Sequence, residues 1–144
     1  MKTQTVEILV HVSQTEESVF SGEYILRALD ADGTLLHEAH VTLPDLDAAT
    51  SDYARLLTLT MALGRLHGKL GDGPAWYALR VIQSSKNVDG WLDKGWKRNA
   101  ERVRELAGAV DVLLRPFPRR EFIKLSREEL DAALKTGKGV MIPA

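Results

Sequence analysis

The feature that most constrains the fold is an apolar residue at every second position near the start of the chain. Val6, Ile8, Val10 and Val12 alternate with Glu7, Leu9, His11 and Ser13. A period of two is typical of a β-strand, in which successive side chains point to opposite faces. Because one face of this segment is wholly apolar, the pattern predicts a first strand in the centre of a sheet.

Two more strands are expected before the first helix. Asp32 and Gly33 separate two β-rich runs at residues 24–28 and 35–43, and residues 15–21 form a polar connection. An Asp-Gly pair between such runs is a strong hairpin signal. The second and third strands are therefore predicted to pair antiparallel.

Helices and strands alternate in the rest of the chain. Residues 48–52 offer capping side chains, and the apolar residues after them, including Leu57 and Met61, are spaced by three and four as in a buried helix. The later elements are predicted as a strand at 76–82, a short helix at 84–92, a helix ending at 114, a strand at 121–125 and a helix at 126–134. Because a long helical connection precedes the fourth strand, that strand is predicted to lie parallel to the first.

Composition limits the kinds of function. The 144 residues include 19 Lys and Arg and 20 Asp and Glu, so no overall positive field attracts nucleic acid or an anionic membrane. Cys is absent, which excludes disulfides and cysteine nucleophiles and fits a reducing cytoplasm. No apolar run is long enough to span a membrane. We expect one soluble, cytoplasmic domain at 1–144 with no membrane partner, having its core at 6–135 and a C-terminal extension at 136–144.

Four segments, in order, resemble motifs of bacterial and plant-type members of the ribonuclease H family. Residues 49–59 resemble the motif A-T-N-N-x-A-E-x-x-A-L, and residues 79–88 resemble the fourth strand with the D-S-x-x-V segment that follows it. Residues 95–106 resemble the motif G-x-W-K-x-K-N followed by L-R-E-L. Residues 122–129 resemble the last strand with its ending V-P-R-E-E-N. The resemblance covers residues 6–135. It implies a ribonuclease H-like α/β fold, with a five-stranded mixed sheet flanked by helices. The first three strands would be antiparallel, and the fourth and fifth parallel to the first.

The resemblance also implies a site of about four carboxylates that hold two divalent metal ions and cut the RNA strand of an RNA-DNA hybrid. At the corresponding positions this chain has His11, Arg55 and Ser84, and Asp131 alone keeps a carboxylate. A fixed cation such as Arg55 would repel a metal ion. We therefore expect a degenerate site with no metal ligand and no cofactor, in a catalytically inactive protein.

Two alternatives concern the same positions. An active ribonuclease H could use a shifted set of ligands to Mg²⁺ or Mn²⁺, made up of His11, Asp52, Asp89 and Asp131. Against this set, Asp52 is expected to cap the helix and Asp89 to face solvent. His11 itself is interpreted either as a buried, hydrogen-bonded histidine or as part of an anion pocket with Arg55 and Ser84.

A basic and aromatic cluster suggests a binding surface. Its members are Lys86, Trp91, Lys94, Trp96, Lys97 and Arg98. Cations neutralise phosphates and aromatic rings stack on bases, so the cluster favours binding of nucleic acid, including an RNA-DNA hybrid. In the other interpretation the two Trp side chains pack a helix junction and the cations are solvated. A protein-interaction module and a homodimer that uses the sheet edge or the first helix are further hypotheses.

Overall fold

A five-stranded sheet forms the centre of the structure, a computed structural model that describes residues 4–71 and 73–136. The strands are β1 (Gln4–Glu16), β2 (Val19–Leu29), β3 (Leu35–Asp47), β4 (Tyr77–Gln83) and β5 (Arg119–Lys124), in the order β3-β2-β1-β4-β5. The pairs β1–β2 and β2–β3 are antiparallel, whereas β1–β4 and β4–β5 are parallel. The predicted central position of the first strand and the mixed five-stranded topology are confirmed.

Helices cover both faces of the sheet. In the described residues they are α1 (Ser51–Leu70), α2 (Lys86–Leu92), α3 (Glu101–Leu114) and α4 (Arg127–Thr136), with a 3₁₀ turn at Pro74–Trp76. One face of β1 packs in the main core with α1 and α3, and the other face, through Leu9, packs against Leu130 of α4. None of the helices in the described part of the chain combines the length and the apolar character needed to cross a membrane.

Several element ends differ from the sequence-based bounds. β1 and β2 continue into the segment that was predicted to be a polar connection and leave a tight turn in which Ser18 has φ 58°. Trp76 belongs to the 3₁₀ turn and not to β4. Strand pairing uses backbone groups, so a hairpin can extend through polar residues that carry no apolar pattern. Thr136 ends α4, and the rest of the predicted extension lies outside the described residues.

The start of α1 follows the predicted capping, but one of its predicted core residues is exposed. Thr50 is the N-cap, and its hydroxyl accepts a hydrogen bond of 3.1 Å from the amide of Tyr53. Met61 is 55% exposed, so its assignment to the core was wrong. At about 100° per residue, Met61 lies about 200° around the helix from the buried Leu59. Leu57 is half-buried and packs against a small cluster that contains Phe20.

A capping box forms the start of α4. The Ser126 hydroxyl accepts a 3.1 Å hydrogen bond from the Glu129 amide, and the Glu129 carboxylate accepts one of 3.0 Å from the Ser126 amide. The bond from the Ser126 backbone is the main cause that lowers the pKa of Glu129 below its ordinary value. Because the box fixes where α4 begins, it also places Arg127 and Asp131 one turn apart on the same side of that helix.

Two charged residues are fully buried in the face of the sheet that carries α4. Glu7 and Arg27 are both 0% exposed and lie opposite each other in the β1–β2 register. Arg27 donates hydrogen bonds of 2.8 Å to Glu38 of β3 and 2.9 Å to the backbone carbonyl of Ala133 in α4. This arginine therefore ties the sheet to the helix that carries Arg127 and Asp131.

Candidate functional site

A cleft of about 200 Å³ lies where the ends of β1 and β4 meet the first turns of α1 and α4. Its lining consists of His11, Val12, Ser13, Gln14, Phe20, Ser51, Arg55, Ser84 and Arg127. The structure thus brings together His11, Arg55 and Ser84, the positions at which the resemblance calls for carboxylates. It adds Arg127, which sequence reasoning did not assign to the site. Among the residues that the structure describes, no Asp or Glu lines this cleft.

His11 lies between two carboxylates from different elements. Its Nδ1 is 3.7 Å from an oxygen of Glu23 on β2, and its Nε2 is 3.5 Å from an oxygen of Asp131 on α4. The other oxygen of Glu23 is 2.7 Å from His40 Nε2. Glu23 and His40 were missed, because Glu23 comes opposite His11 through a β1–β2 hairpin whose tight turn lies in the segment predicted to be a polar connection. His11 is half-buried, so the expectation of a buried histidine was too strong.

Arg55 is held at the edge of the cleft by Asp52. Arg55 Nη1 donates a 3.0 Å hydrogen bond to Asp52, and this carboxylate also accepts bonds of 2.6 Å from the Ser85 hydroxyl and 2.9 Å from the Asn87 amide. The expectation that Asp52 caps α1 was wrong, because Thr50 is the N-cap. Asp52 joins the start of α1 to the connection between β4 and α2.

The shifted set of metal ligands is not assembled. Asp89 is 7% exposed and pairs with Lys94, so the expectation that it faces solvent was wrong. The bond from Asp89 raises the pKa of Lys94 above its ordinary value. In residues 4–71 and 73–136 no three His, Cys, Asp or Glu side chains lie close enough together to hold a metal ion. With Arg55 and Arg127 in the cleft and no carboxylate in its lining, the donor set does not fit a pair of divalent metals.

The basic and aromatic cluster divides into a packed part and an exposed part. Arg98 donates a 2.8 Å hydrogen bond to Asp111 and another of 2.8 Å to the Trp91 carbonyl, and Trp91 packs against the main core. Lys94 is engaged by Asp89. Lys86, Trp96 and Lys97 are exposed. The surface that is open to a partner is therefore smaller than the sequence cluster.

Gly90 makes room for Trp96. The Trp96 amide donates a 2.9 Å hydrogen bond to the Gly90 carbonyl, and a Cβ added at residue 90 would lie 2.0 Å from Cε3 of the indole ring. A glycine in the middle of a short helix gives no sequence signal for such a contact. The ring is 39% exposed, so one of its sides packs on α2 while the remainder is open to solvent.

Replacing Gly90 by Ala is expected to displace the Trp96 ring and lower the free energy of unfolding by about 1–3 kcal/mol, the usual cost of overpacking. Urea unfolding and Trp fluorescence measure the two effects. Gly108→Ala is the matched control, because Gly108 is also helical and a Cβ there would meet nothing within 4 Å. Equal stability of the two variants would contradict the packing described for Trp96.

Comparisons with known proteins identify the fold. No family model matches the sequence, and no curated protein matches it. Ribonuclease H1 from Halobacterium salinarum is 17% identical with a TM-score of 0.65 over 88% of this chain and 89% of that chain. The N-terminal ribonuclease H domain of a Mycobacterium tuberculosis protein is 22% identical with a TM-score of 0.63, over 88% and 91%. LC11 ribonuclease H1 from a compost metagenome, solved in complex with an RNA/DNA hybrid, is 17% identical with a TM-score of 0.62, over 91% and 100%. The chain therefore has the ribonuclease H fold.

Proposed function

We propose that this protein is a ribonuclease H-fold domain that binds nucleic acid without cutting it by metal-dependent hydrolysis, which makes it a pseudoenzyme. The observation that carries the proposal is the composition of the cleft. His11, Arg55 and Ser84 line it together with Arg127, and no carboxylate in the described part of the chain does. Two-metal hydrolysis needs oxygen ligands that neutralise and position both metal ions. Guanidinium groups in place of those ligands repel the positive ions.

Support for nucleic-acid binding comes from the fold and from the exposed surface. A protein of this fold has been solved with an RNA/DNA hybrid. In this chain Lys86, Trp96 and Lys97 are exposed in the segment from α2 to the start of α3, which offers two phosphate partners and one stacking surface. With a net charge of -1, the chain relies on this local arrangement and not on a general positive field. The partner we propose is an RNA-DNA hybrid or a related nucleic acid, in the cytoplasm.

The purified full chain is expected to bind a labelled RNA-DNA hybrid at low salt and to leave it intact with Mg²⁺ or Mn²⁺. Affinity should fall as salt rises. Lys97→Ala should weaken binding and should lower the slope of log affinity against log salt concentration by about the amount that one phosphate contact contributes. Gel shift and gel cleavage assays measure both. Lys69→Ala is the control, since Lys69 is exposed near the far end of α1 and should have no effect.

Two results would count against this proposal in different ways. Cleavage of the hybrid that disappears in Asp131→Asn would show an active ribonuclease H with an unusual ligand set. Absence of binding at low salt would remove the nucleic-acid function and leave the protein-interaction and homodimer hypotheses. For those hypotheses the exposed apolar residues Met61 on α1 and Val112 on α3 provide the surface to test.

A further inference from the structure

The size of the cleft limits what can enter it. Its volume of about 200 Å³ is several times the share of about 30 Å³ that one water occupies in the liquid. It is smaller than the roughly 300–1,000 Å³ of pockets that enclose drug-sized ligands. The space therefore suits one small polyatomic group with some water, and the remainder of a larger ligand would lie outside.

The polar side chains of the lining can all donate hydrogen bonds, and the two guanidinium groups among them can only donate. They comprise the guanidinium groups of Arg55 and Arg127, the hydroxyls of Ser13, Ser51 and Ser84, the amide of Gln14 and the ring of His11. Arginine presents its N–H groups as a planar fork that matches the oxygens of carboxylate and phosphate. Such a lining favours an oxygen-rich anion over a cation.

Arg55 has a donor without a partner. Its Nε is buried and makes no hydrogen bond in the described part of the chain, while its Nη1 is fixed by Asp52. Buried donors are nearly always bonded, so an unbonded guanidinium nitrogen calls for an acceptor that the chain itself does not supply. An oxygen of an anion in the cleft would be such an acceptor once the Arg55 side chain turned its buried Nε towards the cleft that this residue lines.

Two helix starts add to the attraction. Ser51 is the first residue of the 20-residue α1, and Arg127 is the first residue of α4. The amides and the positive end of the dipole at a helix start favour an anion. Glu23 and Asp131 beside His11 oppose this field, as do Asp52, Glu128 and Glu129 in the first turns of the two helices, but none of these carboxylates is part of the lining.

We infer that this cleft binds one phosphate group, and, resting on the proposed function, that the phosphate belongs to a nucleic acid. Arg55 and Arg127 are its main partners, with Ser51 and Ser84 as further donors. The phosphate takes the place of the metal ions that the resemblance implies for this position. Its source is either a phosphodiester inside a strand or the phosphate at a strand's 5′ end.

Calorimetric titration of the full chain with inorganic phosphate, against chloride of the same ionic strength, tests the site. Arg127→Gln and Arg55→Lys are each expected to weaken phosphate binding about tenfold, or about 1.4 kcal/mol. The Lys variant keeps the charge but removes the Nε donor. Arg65→Gln, which removes an exposed arginine of α1 outside the cleft, is the control and should bind like the wild type. Equal binding by all four proteins, or none by the wild type, would overturn the inference.

A second set of titrations identifies the source of the phosphate and separates this inference from the proposed function. An oligonucleotide with a 5′-phosphate and the same strand without it are compared on the wild type and Arg127→Gln. A gain from the 5′-phosphate that the variant loses identifies a terminal phosphate, whereas equal weakening of both strands identifies an internal one. If nucleic acid binds through Lys97 but neither arginine variant changes it, the phosphate site fails alone. If phosphate binds in the cleft and no nucleic acid does, the proposed function fails alone.

Discussion

Replacing Arg27 by Met is expected to lower the free energy of unfolding by about 3–5 kcal/mol, because the change removes one charge from a buried ionic cluster. Glu7, opposite Arg27 in the register, is also 0% exposed and would lose the cation that lies across from it in the low-dielectric interior. The Ala133 carbonyl of α4 and the Glu38 carboxylate would each lose a donor. Because the bond from Arg27 to Ala133 ties α4 to the sheet, the amides of α4 should also exchange faster with solvent in this variant.

Arg80→Met is the matched control for this prediction. Arg80 is also an arginine of the sheet, and its Nη1 lies 3.4 Å from a carboxylate oxygen of Glu7. It is partly exposed, however, and it also pairs with the exposed Glu121. Its loss should cost about 1 kcal/mol or less. The double variant Glu7→Leu with Arg27→Met should recover part of the stability, since apolar groups can replace a buried pair. Urea unfolding measures the free energy of unfolding of each variant. A smaller loss for Arg27→Met than for Arg80→Met would contradict the role given to Arg27.

Much of the fold follows from local pattern. The alternation around Ile8, the Asp-Gly turn and the capping side chains at 48–52 are properties of neighbouring residues, and each appears in the structure where it was expected. The positions of Glu7 and Arg27 could not be predicted in the same way. Their burial depends on how α4, more than 100 residues from Arg27 along the chain, returns to cover that face of the sheet.

The candidate site was predictable in part. Aligning short motifs was enough to select His11, Arg55 and Ser84, which share the cleft. The residues around them come from other elements. The register of β1 and β2 brings Glu23 to His11, and the start of α4 brings Arg127 into the lining. Asp52, which bonds Arg55, is in turn bonded by Ser85 in the connection after β4. Such contacts depend on tertiary placement, and single polar residues carry no periodic signal for it. Asp89 shows the same limit, because its burial follows from packing that the pattern of a short helix does not reveal.

Restoring carboxylates to the cleft is expected to create a site for divalent metal. In the triple variant His11→Asp, Arg55→Glu and Ser84→Asp, three new acidic groups would enter one cleft, with Asp131 close to residue 11. Oxygen ligands of this kind suit Mg²⁺ and Mn²⁺, and the change removes the guanidinium group that opposes them. If Mn²⁺ is present at 100 times its Kd, the free energy of unfolding should rise by about 2.7 kcal/mol.

The wild type should gain no such stability from Mn²⁺, and neither should a control with the same charge changes at scattered exposed positions. His37→Asp, Arg65→Glu and Ser18→Asp provide that control, because these residues lie on β3, on α1 and in the turn after β1. Thermal and urea unfolding with and without Mn²⁺ measure the difference. Since the control carries the same net charge, it separates a built site from general attraction of cations to a more acidic protein. Metal stabilisation of the wild type equal to that of the triple variant would show that the existing residues already hold an ion, and would overturn the proposed loss of metal chemistry.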